Sequence, residues 1–333
     1  MIHMNAKIIG FGSTAIVVLV YLVVVIAPGR INPEMEAPSA NYRKRTALEE
    51  QGRKLYIEFG CQYCHTQYIR KTDWGPMAER IAQPGDYYDE YSPQLGSNRN
   101  GPDLSQAGGQ HPDDWHRAHF NNPRFPRPES FMPPFSYLKE PEIKSLIAYT
   151  QSLGGKLADL RVARQEKWRK EAVGAYEKGV DENLKWIHDN VPPGWLHTPS
   201  PYPLTAASFK RGETIYQRHC LGCHGPVGDG QGPAVAFLYP PPLNFTTLRR
   251  LGIKGGATGG MLYYQIMNGI TGTAMPAFRN ELESEKIWDV GNYVAKQFIG
   301  LLDSNTEPRG IDSADEVPPS MAYPPSAIPV EAN

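Results

Sequence analysis

The chain has 333 residues, 34 basic against 35 acidic side chains for a net charge of −1, and four cysteines. This balance lacks the basic excess that nucleic-acid binding leaves, so no nucleic-acid partner is expected. The length suits two ordinary domains, and the 32 glycines and 31 prolines point to long wrapping loops between helices.

The first element is apolar. From Ile8 to Ala27 the chain carries no charge, and about 20 residues of helix at 1.5 Å each span the ~30 Å of a bilayer core. A cleaved signal peptide has a shorter apolar stretch and a small-residue exit. Here Pro28-Gly29-Arg30 follows instead, so residues 1–30 are expected to form an uncleaved membrane anchor. Orientation is poorly written in the charges. Lys7 precedes the helix, while Arg30, Arg43, Lys44 and Arg45 follow it, against the positive-inside bias.

Asn32 to Ala40 reads as a Pro-rich extended spacer. Thr46 then caps a helix with Gly52 and Tyr56 on one face, leading into Cys61-Gln62-Tyr63-Cys64-His65. The pattern returns later. Ser208 is expected as the cap, Gly212 and Tyr216 share a face, and Cys220-Leu221-Gly222-Cys223-His224 follows. Cys-x-x-Cys-His is the attachment signature of c-type haem: the thiols add to the two vinyl groups and the adjacent His ligates iron. The two words use all four cysteines. A zinc site would need its second ligand pair at finger or ribbon spacing, and a thioredoxin-like motif has no need of His after the second Cys, twice. Two covalent haems c are expected. Since such haems are attached outside the energy-conserving membrane, both domains are expected on the periplasmic side of a bacterial inner membrane.

Each half continues alike. Met132 sits in Ser130-Phe131-Met132-Pro133-Pro134-Phe135 and Met275 in Thr273-Ala274-Met275-Pro276-Ala277-Phe278. The proline keeps each loop extended, and a thioether as sixth ligand raises the haem potential. The expected iron ligands are therefore His65 with Met132 and His224 with Met275, while Met261 and Met267 read as core. Closing helices are expected over Pro141–Leu153 and Glu285–Phe298. A ligand His needs an acceptor for its other ring nitrogen, and Pro102-Asp103-Leu104 and Pro241-Pro242-Leu243 resemble the loop whose carbonyl does this in class I cytochromes c. Pro102 and Pro241 are the candidates. His111, His116 and His119 cluster before Met132; they suit hydrogen bonding to fold or propionates, with His119 as a rival distal ligand or a separate metal site as alternatives. Gly228 to Gly232 follows a haem word rather than a strand, so it reads as a wrapping turn and not a nucleotide loop.

The expected fold is mainly α: a transmembrane helix and two class I cytochrome c domains, 45–155 and 204–302, joined by a helical linker over 156–203. Leu160, Trp168, Ala172, Tyr176, Val180, Leu184 and Ile187 would line one face of a single long linker helix. Residues 303–333, rich in Pro and acid, read as a disordered tail.

Residues 50 to 138 resemble the membrane-anchored cytochrome c subunit (subunit II) of C-family haem–copper oxidases. The resemblance rests on Gly60 through Arg70, Gly96-Ser97-Asn98-Arg99-Asn100-Gly101-Pro102-Asp103-Leu104, Trp115-His116-Arg117-Ala118-His119, Asn122-Pro123-Arg124 and Met132-Pro133. It implies an electron-transfer subunit serving a haem–copper catalytic membrane subunit; related cytochromes serve nitric oxide reductases. The family usually has Pro where Lys71 stands and carries one haem. The second domain resembles only a generic class I cytochrome c, which would receive electrons from a soluble cytochrome or cupredoxin. A free dihaem carrier and a dihaem peroxidase are the alternatives; the two Met loops disfavour the peroxidase, which needs an open distal position.

Overall fold

The computed structural model describes residues 6–31, 37–73, 80–196, 198–250 and 259–300. All regular structure among the described residues is helical. The expected tail, 303–333, lies outside them.

Helix α1 (Ala6–Val20) continues into a π-helical turn, Tyr21–Ile26. The stretch Ala6–Ile26 is long and apolar enough to cross a membrane and has none of its surface buried by protein.

The rest divides into two compact units. In the first, α2 (Ala47–Glu58) crosses α4 (Glu140–Ser152), with α3 (Asp113–Asn121) beside α4. Thr46 caps α2 as expected: its hydroxyl accepts from Glu49 N while Glu49 Oε2 accepts from Thr46 N at 2.7 Å. Gly52 permits the crossing, because a Cβ there would lie 1.9 Å from the carbonyl oxygen of Ser145. One turn on, the Tyr56 and Tyr149 rings pack at 5.2 Å. Leu146, Ile147 and Leu153 are almost fully buried in the same core, each contributing about 1.5–3 kcal/mol.

The second unit repeats the arrangement with α7 (Ala206–Ile215) against α9 (Ser284–Val294), and α8 (Gly259–Asn268) packed on α9. A Cβ on Gly212 would meet Asp289 O at 2.3 Å, and the Tyr216 and Tyr293 rings lie 5.6 Å apart. The cap differs from expectation. Thr205 is the N-cap and Ser208 the third helical residue, each side chain bonding the other's backbone N–H. The expected closing helix to Phe298 runs as α-helix to Val294 and as π-helix from Ala295 to Ile299.

The linker is not one helix. It is α5 (Gly155–Glu177) and α6 (Val180–Asp189), interrupted at Gly179, whose φ of 114° no α-helix accommodates. The expected stripe is also incomplete, with Leu160 and Val180 about half exposed. Ala172 and Ile187 of the stripe are buried, as are Ala158 and Ala175 outside it. Residues 155–171 count with the first unit, and residues 172 onward with the second. The second unit also includes Pro123–Phe131, a piece taken from between α3 and Met132.

Candidate haem sites

In the first unit, α2 ends in a left-handed Gly60, and Cys61–Tyr63 forms a 3-10 turn. Cys64 N and His65 N both donate to Cys61 O, at 3.1 and 3.0 Å, which fixes both thiols and the imidazole on one short turn. His65 Nδ1 lies 2.8 Å from the carbonyl oxygen of Pro102. That contact places the proton on Nδ1 and leaves Nε2 as the ligating atom. Burial holds the His65 pKa below its ordinary value, opposed by the Pro102 carbonyl and by Asp103, which favours the neutral ring.

The loop behind His65 is tightly sewn. Gly101 N donates to Cys64 O at 2.9 Å and Leu104 N to Thr66 O at 2.7 Å. A Cβ on Gly101 would stand 2.2 Å from His65 Cε1, so only glycine fits behind the ring. Thr66 donates its hydroxyl to Asp103 Oδ2, Tyr68 N donates to the same oxygen, and Arg99 Nε donates to Thr66 Oγ1. Arg70 and Arg99 hold the Asp73 carboxyl well below the usual carboxylate range. Sequence reading singled out Pro102 here but missed Thr66, Arg99 and Asp103. A carboxylate between Pro and Leu was the available signal.

In the second unit the word lies at the end of a π-helical turn, Tyr216–Cys220, followed by Leu221–His224 in α conformation. The Tyr216 hydroxyl donates to Gly225 O at 2.6 Å, tying the core to the word. The His224 ring stacks on Phe245 at 4.7 Å and 15°. Pro241 does not take the part of Pro102. Nδ1 of His224 makes no hydrogen bond of ordinary geometry, and the backbone group that acts on the ring is that of Leu243. Burial lowers the His224 pKa to about 4. The turn 228–232 wraps the word: Gly230 N donates to His224 O and Gly232 N to Cys223 O.

The two Met-Pro loops return to their units in the same way. Phe135 N, three residues after Met132, donates to Phe120 O at the end of α3; Phe278 N, three after Met275, donates to Ile266 O near the end of α8. Met132 packs on the cluster that includes Cys61, Leu104 and Leu138. Met275 packs on the cluster that includes Cys220, Leu221 and Leu243. Met261 is buried core and Met267 packs beside it.

These residues fit a covalently held haem. Each unit gathers a thiol of the word and the Met on one apolar cluster, and Gly101 stands where any side chain would displace the His65 ring. Burial pushes the Cys61 and Cys220 thiols up to about 12. His111 and His119 sandwich Trp115 at 3.7 and 4.8 Å between ring centres. His116 is fully buried, and burial lowers its pKa to about 4. Among the described residues, no three His, Cys, Asp or Glu side chains gather as a metal-binding group, so the histidine cluster reads as packing.

Residues 3–145 match the family described as cytochrome c oxidase, mono-heme subunit/FixO. Residues 207–294 match cytochrome c oxidase, cbb3-type, subunit III. A thiosulfate dehydrogenase of Allochromatium vinosum is 28% identical over 120 residues, covering 33% of this chain and 41% of that protein. The chain therefore spans less than half the length of that curated relative. A solved Kuenenia stuttgartiensis chain of a reducing HAO-like protein complex aligns with 74% of this chain and 96% of its own at 20% identity and a TM-score of 0.26, too low a score to bear on fold. Residues 3–145 thus resemble the mono-haem subunit and residues 207–294 subunit III of cbb3-type oxidases, and together the two matches support a cbb3-type cytochrome c subunit with a second cytochrome c domain.

Proposed function

We propose that this chain is a membrane-anchored dihaem electron-transfer subunit of a haem–copper oxidase. The repeated arrangement of cysteine word, neutral ligand His and returning Met-Pro loop, once in each family-matched region, carries this reading. One haem would be held by Cys61, Cys64, His65 and Met132, the other by Cys220, Cys223, His224 and Met275. Bound there, haem c supplies a one-electron couple whose potential the thioether raises. The chain's residues hold each imidazole in a buried setting that favours its neutral form.

The catalytic membrane subunit would meet the first domain, which carries the family's mono-haem signature directly after the anchor. Tyr63 in the haem word and Tyr137 after the Met loop are each about two-thirds exposed, offering apolar surface beside the first haem. The donor, a soluble cytochrome or cupredoxin, would meet the second domain. There Pro226, Val227, Gln231 and Pro233 expose a small uncharged face beside the word. Electrons would run from the second haem to the first, with both domains on the periplasmic side of a bacterial inner membrane. Family membership favours an oxidase over a nitric oxide reductase as the acceptor.

Purification of the chain from native membranes tests this. A haem–copper catalytic subunit should co-purify at equal stoichiometry. A dihaem chain isolated with no catalytic subunit, fully active as an electron carrier, contradicts it.

A further inference from the structure

Pro123–Phe131 lies in sequence within the loop that carries Met132, yet packs in the second unit. Its contacts there are specific. A Cβ on Gly222, inside the second haem word, would stand 1.9 Å from Phe125 O. Gly222 is therefore needed not by the haem word, which accepts any residue there, but by this segment. The Phe125 and Phe237 rings stack at 5.9 Å. Glu129 pairs with Arg218 at 3.0 Å.

Arg127 is the centre of the arrangement. Its guanidinium grips Glu281 with two nearly parallel bonds of 2.6 and 2.5 Å, and Nη1 also donates to His219 Nδ1 at 2.9 Å. It lies 5.7 Å from the Phe278 ring centre. His219 immediately precedes Cys220, while Phe278 and Glu281 follow Met275 in its return loop. One side chain thus ties the attachment side of the second haem site to its Met side. Arg127 N also bonds to Pro123 O, and Ser130 N to Arg127 O at 2.9 Å. The turn held by Arg127 therefore ends two residues before Met132. Phe131, between them, is 68% exposed and provides no anchor. A bidentate Arg–carboxylate pair holds geometry as well as energy, and a restrained loop loses less entropy when its Met coordinates iron.

We propose that residues 123–131 form a clasp on the second haem site and that Arg127 is a positioning residue for Met275. This rests on the His/Met ligation proposed above. Loss of the Arg127–Glu281 grip would free the Met275 loop, so an external ligand would displace its thioether more readily.

The test is imidazole titration of the full-length ferric chain in detergent, followed by the Met-to-iron charge-transfer band. Arg127→Ala and Glu281→Ala should each let imidazole displace Met at about tenfold lower concentration, the size expected for residues coupled through one network. The swap Arg127→Glu with Glu281→Arg should recover most of that loss. In a Met132→Ala background the remaining band reports Met275 alone, and Arg127→Ala should still weaken it. Arg117→Ala, which breaks an exposed pair with Glu140, should leave the titration unchanged. A fall in melting temperature with unchanged imidazole affinity at Met275 overturns the clasp, leaving Arg127 a stabilising residue only. A wild type lacking the band overturns the ligation reading and the clasp together.

Discussion

Gly101 lies so close behind His65 that a Cβ would come within 2.2 Å of the ring carbon Cε1. The same loop supplies the Pro102 carbonyl to Nδ1, so the loop sets the ring's plane and its tautomer together. Gly101→Ala should push His65 off its orientation while leaving both thioether bonds intact. Mass spectrometry should show full haem attachment, and the spectrum of one haem alone should change. An unchanged spectrum would mean that the loop yields freely.

The two Met ligands are expected to act independently in their potentials. Met132→Ala and Met275→Ala should each lower the potential of one haem and leave covalent attachment complete, because a thioether favours the ferrous state. Redox titration with two resolved waves reads this directly. A variant in which neither wave moves would assign the sixth ligand elsewhere.

The helix crossings should be the least tolerant part of each core. Gly52→Ala must displace the Ser145 backbone and Gly212→Ala the Asp289 backbone. Each is expected to cost at least the 1–3 kcal/mol typical of overpacking, read as a lower denaturant midpoint.

The crossings and haem words are legible because they depend on local spacing. Gly52 with Tyr56 and Gly212 with Tyr216 stand four apart, and each Cys-x-x-Cys-His is contiguous. Thr46 is legible as a cap for the same reason. Thr205 and Ser208 are both good caps three residues apart and bond each other, so residue type alone cannot choose between them. Pro102 accepts from His65 Nδ1, whereas Pro241 makes no such bond to His224, so the Pro-x-Leu spacing alone does not identify the acceptor. The break at Gly179 was visible as a glycine but outweighed by the apolar period around it. The clasp at 123–131 left no local signal at all, since its partners Gly222, His219 and Glu281 are far away in sequence.

Acid stability should report His116. An unfolded His takes up a proton near pH 6.5, whereas burial holds the folded ring neutral down to about 4. The folded pKa is depressed, so the unfolded state binds more protons in this window and stability falls as pH drops from 6.5 toward 4. The loss is on the order of 3 kcal/mol by linkage. His116→Leu, similar in volume and uncharged, should flatten the stability curve of the first domain across that range. An equally steep curve in the variant would place the acid sensitivity in other groups.

Removal of residues 1–30, with a separate secretion signal supplied, should yield a soluble protein with both haems attached. Ala6–Ile26 is the one stretch among the described residues long and apolar enough to cross a membrane. Persistence in the membrane fraction after partner subunits are stripped away would show a second anchoring surface.

The order of electron flow is tested most directly by rapid-mixing reduction of the intact membrane complex by its natural donor, comparing the wild type with Met275→His. Replacing the thioether by a second imidazole lowers the potential of the second haem and should slow reduction by the donor, while turnover fed by a small-molecule reductant at the first haem stays at the wild-type rate. Equal rates with the natural donor in both proteins would contradict the account, making the second haem a side branch rather than the receiving site.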